Sequence, residues 1–325
     1  MPVKIRYTVS LALLLLISAC DNNNNNNNNI KYSNDKPDEI NNYVKKIKSE
    51  LVYVKGGEFL MGDYGEEYGP ENLPYDSNKD SKPLHKVQLS NYSISRFKTN
   101  NNLFGFYLSY TGVRRNKIEM GPTTKKRWDT LNNNPDTPAH VDWSEANKYC
   151  TWLADVTKLP FSLPTEAQWE FAARNRGEYV IAPTDNGTID IVDQKGINVT
   201  TADDREQFAE ENHTQLGTLS PMPGNFRAPN PLGIYDMAGN GYEWMKDWYD
   251  PDYYKKSPIK DPQGPEKPVF KDYQGNFTKV TRSQDFSGPG RGLTVVRHFK
   301  DPDNNGRIPA DKTVRCAVNS SVPVN

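Results

Sequence analysis

Leu163-Pro-Thr-Glu-Ala-Gln-Trp-Glu-Phe-Ala-Ala-Arg174 carries a helix-start signal at its head. Thr165 and Gln168 stand at capping-box spacing, where each side chain can accept the other's backbone N–H, and Trp169 and Ala172 follow on one face. The same signal recurs upstream at Asp142-Trp-Ser-Glu145, ahead of Trp143, Ala146, Tyr149, Cys150 and Leu153. Further out, Thr99 to Asn102 supply cap residues before Leu103, Phe106, Tyr107 and Tyr110, which repeat at i, i+3, i+4 and i+7 until Gly112 stops them. Three helices are thus predicted. Val52-Tyr53-Val54 alternates into Gly56-Gly57 and then Phe59-Leu60-Met61-Gly62, which reads as two short strands joined by a glycine turn. Val87-Gln88-Leu89 and Tyr92-Ser93-Ile94 also have strand character.

Composition narrows the class. The 325 residues carry 40 Lys+Arg against 41 Asp+Glu, so the net charge of -1 gives no electrostatic argument for a nucleic-acid partner. Mean hydropathy is -0.83, which is polar, yet 18 Tyr and 6 Trp provide anchors for a core. With 24 Pro and 22 Gly the chain is punctuated rather than extended, which disfavours a helical bundle or a TIM barrel. No internal repeat is visible, and residues 51–321 read as one folded domain.

At the N-terminus, Lys4 and Arg6 precede an apolar run from Val9 to Ile17, too short to span a bilayer and suited to a signal-peptide core. Ile17-Ser18-Ala19-Cys20 resembles a bacterial lipobox. The resemblance implies a lipoprotein signal peptide over 1–19 and lipidation of Cys20, hence a periplasm-facing protein held to the lipid bilayer by N-terminal acyl groups. Asp21 directly after it suggests the inner membrane. Asn22 to Asn29 are all asparagine and the chain stays polar through Asn42, so 20–50 reads as a lipidated cysteine followed by a flexible tether.

Five stretches, in order, resemble the formylglycine-generating enzyme, or sulfatase-modifying factor, family. They are Val54-Lys-Gly-Gly-Glu-Phe-Leu-Met-Gly62, Pro138-Ala-His-Val-Asp-Trp-Ser-Glu-Ala146 through Tyr149-Cys-Thr-Trp152, the Leu163 to Arg174 stretch, Leu232-Gly-Ile-Tyr-Asp-Met-Ala-Gly-Asn-Gly-Tyr-Glu-Trp244, and Val314-Arg-Cys-Ala317. The resemblance implies a single α+β domain, loop-rich and related in plan to C-type lectins. It also implies a chemistry: in the family's enzymes a cysteine pair binds copper and oxidises a substrate cysteine to formylglycine, since soft thiolates select Cu(I). Here the corresponding stretch, Lys279 to Arg297, contains no cysteine, and the two positions fall near Gly288 and Leu293. Formylglycine formation and copper are therefore not expected.

With Cys20 assigned to the lipid, the resemblance implies a disulfide between Cys150 and Cys316; the alternative, two reactive thiols or metal ligands, lacks a second close ligand beside either. Another branch of the superfamily holds iron through histidines, but His85, His140, His213 and His298 are widely separated and no iron site is expected. His85 and His140 read as structural, and His298 stays open. By resemblance, Asp236 and Glu243 side chains with the Gly239 and Gly241 carbonyls would bind a structural Ca2+, and a second calcium site would start near Asn198 and Val199. The alternative is a turn with Glu243 paired to an arginine. Asp301-Pro-Asp-Asn-Asn-Gly306 imitates an EF-hand start but has Lys312 at the twelfth position, so it reads as a surface loop.

The functional expectation is a membrane-anchored binding or scaffold protein with a catalytically inactive domain, recognising a protein in the envelope or a secreted effector, in the manner of an immunity protein. Its groove would include Asp285, Arg291, Arg297 and His298, with Arg291 and Arg297 placed to meet acidic groups of the partner. The rivals are an enzyme using those four residues in altered chemistry, and a lipoprotein that binds glycan or peptidoglycan.

Overall fold

A computed structural model describes residues 37–115, 120–286 and 293–324. Lipidation at Cys20, the inner-membrane signal at Asp21, the groove residue Arg291 and the position near Gly288 lie outside the described residues. The first element is α1 (Pro37–Ser49), followed by strands β1 (Leu51–Val54) and β2 (Gly57–Met61). A short helix α2 (Gly65–Tyr68) precedes β3 (His85–Leu89) and β4 (Tyr92–Ser95). Next come α3 (Asn101–Thr111), α4 (Pro122–Asn133) and α5 (Trp143–Thr157), then β5 (Phe161–Ser162) and α6 (Glu166–Ala173). After the small ribbon β6 (Ile191–Val192) and β7 (Lys195–Gly196) lie α7 (Ala202–Glu211) and β8 (Tyr242–Trp248). The chain closes with β9 (Lys279–Arg282), β10 (His298–Lys300), β11 (Lys312–Thr313) and β12 (Ala317–Val318).

All three predicted helices are present with their caps. The Asn100 side chain accepts from Leu103 N, and Gly112 ends α3 at φ 67°. Reciprocal capping boxes open α5 at Asp142 and Glu145 and α6 at Thr165 and Gln168. One sheet has the order β1-β4-β12-β5 and another β10-β9-β8-β11, with only the β8–β11 pair parallel. The opening strands do not form a hairpin: β1 pairs with β4, whereas β2 pairs with β3. Gly56 sits at the parting, where a Cβ would lie 2.2 Å from the Leu89 carbonyl oxygen, so only glycine lets the two segments pass so closely. Every residue of α6 is buried; it packs against β2, β3, β8 and β9, and Trp169, Phe171 and Ala172 join Ile94, Met245 and Val280 in the core.

The domain begins earlier than expected. Residues 37–49 belong to it rather than to the tether, because α1 buries Tyr43 and Ile47, the Tyr43 ring stacks on Phe106 at 4.4 Å, and its hydroxyl lies 2.7 Å from that of Tyr149. Ile40, Tyr43, Val44 and Ile47 repeat at helical spacing behind Pro37 at the first turn, and that pattern is the signal in the sequence. The two domain cysteines are joined: Cys150 on α5 and Cys316 just before β12 form a disulfide with Sγ atoms 1.97 Å apart.

Candidate functional site

The buried face of α6 sets two carboxylates into the interior. Glu166 accepts from Arg282 Nη1 at 2.9 Å and from Arg297 Nε and Nη2 at 2.8 and 3.0 Å. One turn on, Glu170 accepts from Arg282 Nη2 at 3.1 Å and from Arg174 Nη1 at 3.0 Å. Burial alone would raise the Glu166 carboxyl, but Arg297 and Arg282 outweigh it and hold the group below its ordinary range. Arg297, expected to face an acidic ligand, instead directs its guanidinium inward, with Nη1 donating to the Asp80 carbonyl at 2.7 Å. That is a correction: a partner's acid would have to compete with a bidentate carboxylate already in place.

Asp247, on β8, caps the start of α6 by accepting from Glu166 N at 3.0 Å. Burial, and then the Glu166 charge beside it, push its carboxyl up from 3.8 to about 7. The folded state therefore favours the protonated acid, a contribution present below the ordinary value and lost as pH rises through about 7. Asp247→Asn keeps the acceptor and removes the charge. Its stability relative to wild type is expected to improve as pH rises from 3.8 to about 7 in thermal melts, and a pH-independent difference would contradict this reading.

The calcium residues do come together, in the loop leading into β8, but a cation of the chain's own is already among them. Lys98 Nζ donates to the Gly239 carbonyl and, at 2.7 Å, to the Gly241 carbonyl, and lies 3.7 Å from Glu243 Oε1. Glu243 is also held by Arg315, Nε to Oε2 at 2.8 Å and Nη2 to Oε1 at 3.0 Å, and by Trp169 Nε1 at 3.0 Å. Asp236 accepts from Asn240 Nδ2 at 2.6 Å. The residues present do not fit calcium, since the ion would have to occupy the place of an ammonium. Glu243 paired to an arginine, the alternative weighed from the sequence, is what the structure contains. At the second expected calcium position, the Asn198 oxygen already accepts from Asp190 N at 2.9 Å while its Nδ2 donates to Asp185, Asn186 and Thr188. Among the described residues no group of three or more His, Cys, Asp or Glu is placed to hold a metal.

The histidines divide by burial. His140 is fully buried, and burial followed by the Arg115 charge lowers it to about 3, so it is neutral and structural. His85 is bonded through Nδ1 to the Pro83 carbonyl at 3.1 Å and packs on Tyr254. His298 begins β10 and faces the Tyr242 ring edge-on at 4.9 Å.

An open cleft of ≈ 690 Å³ runs beside β10. Three segments line it, at residues 78–80, 272–274 and 298–301, and the buried Arg297 is also among its lining residues. Tyr273, also in the lining, is 95% exposed. Of the expected groove residues, Arg297 and His298 are thus brought together, whereas Asp285 accepts from Gln284 Nε2 at 3.0 Å and does not line the cleft. Leu293, beside the second missing cysteine position, is half-buried.

The family model for the sulfatase-modifying factor enzyme 1-like domain matches residues 37–319. This chain belongs to that family. It is 28% identical over 315 residues to the formylglycine-generating enzyme of Thermomonospora curvata, covering 84% of this chain and 94% of the relative. It is also 29% identical over 285 residues to the serine/threonine-protein kinase pkn1 of Chlamydia pneumoniae, a match that covers 84% of this chain but only 38% of that relative's length. Among solved structures, PvdO from Pseudomonas aeruginosa superimposes with a TM-score of 0.61 at 25% identity, covering 82% of this chain and 93% of the other. The family match begins at the first residue of α1, in agreement with the packing of that helix.

Sequence reasoning overlooked Lys98, Glu166, Glu170, Arg282 and Arg315. Each is an ordinary surface type in composition, and each has a charged partner more than 70 residues away that no local pattern reveals.

Proposed function

We propose that this protein is a binding member of its family: lipid-anchored in the bacterial envelope, facing the periplasm, and recognising an extended segment of another protein in the cleft beside β10. The observation that carries the reading is the fate of the thiols. Cys150 and Cys316 are tied to each other and buried, and the segment that bears the family's catalytic pair has no cysteine, so the folded domain offers no thiolate to bind copper or engage a substrate sulfur. The cleft, by contrast, is open and carries aromatic surface at Tyr273 and Phe299, the residue type enriched at protein interfaces, within a polar surround that includes Lys79 and Lys300 beside Asp272 and Asp301. A partner in the envelope or a secreted effector would reach it there.

The full chain, expressed in a bacterium and supplied with labelled fatty acid, is expected to take up the label and to retain one envelope or effector protein on purification. Cys20→Ala should abolish the label, and Lys79→Glu with Tyr273→Ala should release the partner without lowering the melting temperature. Label surviving the Cys20 change would refute the anchor. Turnover lost with Asp285→Asn in a folded protein would favour altered catalysis, and retention of glycan in place of protein would favour a glycan-binding lipoprotein.

A further inference from the structure

Lys98 leaves the segment between β4 and α3 and is 2% exposed, an unusual depth for a lysine. Its three N–H donors need acceptors at that depth, and the loop before β8 supplies them through the Gly239 and Gly241 carbonyls with the Glu243 carboxylate close by. The backbone is bent to aim these oxygens inward: Asp236 and Asn240 have φ of 64° and 62°, the left-handed region that side chains seldom adopt, and Gly241 follows at 104°. Without the ammonium the Gly239 and Gly241 carbonyls would lose their shared donor at that depth, although Arg315 and Trp169 would still hold the Glu243 carboxylate.

Oxygens of this type also suit a hard divalent cation, which would sit about 2.3–2.6 Å from each carbonyl. That is the space in which Lys98 Nζ already makes its bonds, so metal and ammonium exclude one another. Arg205 adds to the exclusion, since its Nη1 donates to Asn240 Oδ1 at 3.1 Å and brings a second fixed positive charge to the loop.

We propose that Lys98 is a built-in cation for the Asp236–Glu243 loop, its ammonium doing the work of a structural metal and making the fold independent of calcium. The inference concerns the fold and stands whether or not the cleft binds a protein.

The test is a set of thermal melts on the full chain in excess calcium and in chelator, with terbium emission sensitised by nearby tryptophan as a direct readout of metal in the loop. Wild type is expected to melt at the same temperature in both media, within about 1 °C, and to give no sensitised emission. Lys98→Ala opens the space and should melt lower in chelator, then recover by about 4 °C or more in calcium and gain terbium emission. Lys98→Met fills the space without a charge and should melt low in both media. Stabilisation of wild type by calcium, or terbium emission from it, would overturn the proposal even if Lys98→Ala does not fold. A Lys98→Met variant as stable as wild type would overturn it as well.

Discussion

Glu166→Ala is expected to destabilise the domain by about 3–5 kcal/mol, the usual consequence of removing one member of a buried charge network. The carboxylate is 2% exposed and receives three hydrogen bonds, one from Arg282 and two from Arg297, both of which are buried. Without it Arg297 retains only backbone acceptors, at Asp80 and Asp250, and its charge is left uncompensated in the interior. Arg282 is less affected, because Glu170 still holds its Nη2. The melting temperature should fall on the order of 10 °C. A loss below about 1 kcal/mol would mean that water or rearranged neighbours replace the carboxylate. A Glu166→Met, Arg297→Met pair removes both charges together and should recover much of the loss, since apolar replacements of buried ion pairs are often neutral. Failure of that recovery would assign the cost to cap and packing geometry at the start of α6 rather than to the unpaired guanidinium.

How legible the molecule is depends on how local each cause is. The helix starts at Asn100, Asp142 and Thr165 were readable because a cap and its partner lie within four residues, and nothing distant is needed to make them work. The pairing of β1 and β2 was not, because their partners are 24 to 44 residues away and the approach of Gly56 to the Leu89 carbonyl decides between a hairpin and two sheets. α1 was hidden for a different reason. Its apolar period is regular, but it follows an asparagine tract, and its average polarity resembles that of a tether. The site shows the same division. The Asp236–Glu243 ligand set could be picked out as a cluster in sequence, whereas the cation within it could not, because Lys98 is 141 residues from Gly239 and looks like any surface lysine. Arg297 was read as a ligand contact from its neighbourhood, and its true partner on α6 is 131 residues away.

The disulfide carries the second large effect, and it bears on function as well as stability. Cys150 and Cys316 are 166 residues apart in sequence and link α5 to the segment entering β12, the strand that joins β4 to β5 in its sheet. Loop-closure entropy for so long a loop gives about 5 kcal/mol, and removal of native disulfides commonly costs about 2–5 kcal/mol. Cys150→Ala with Cys316→Ala is therefore expected to melt well below wild type, with the largest loss of hydrogen-exchange protection in β12 and β4. A double variant within about 1 kcal/mol of wild type would mean that the apolar contacts around both sulfurs already fix the two elements. The same bond can be tested chemically: unfolded, unreduced protein carrying Cys20→Ser is expected to show no titratable thiol, and two thiols would remove the main support for a non-catalytic role. If the bond is there, restoring family-like chemistry requires new cysteines at the positions near Gly288 and Leu293. Reduction of the existing pair would leave two buried sulfurs at the α5–β12 junction, in the sheet that does not contain β10 and away from the residues that line the cleft.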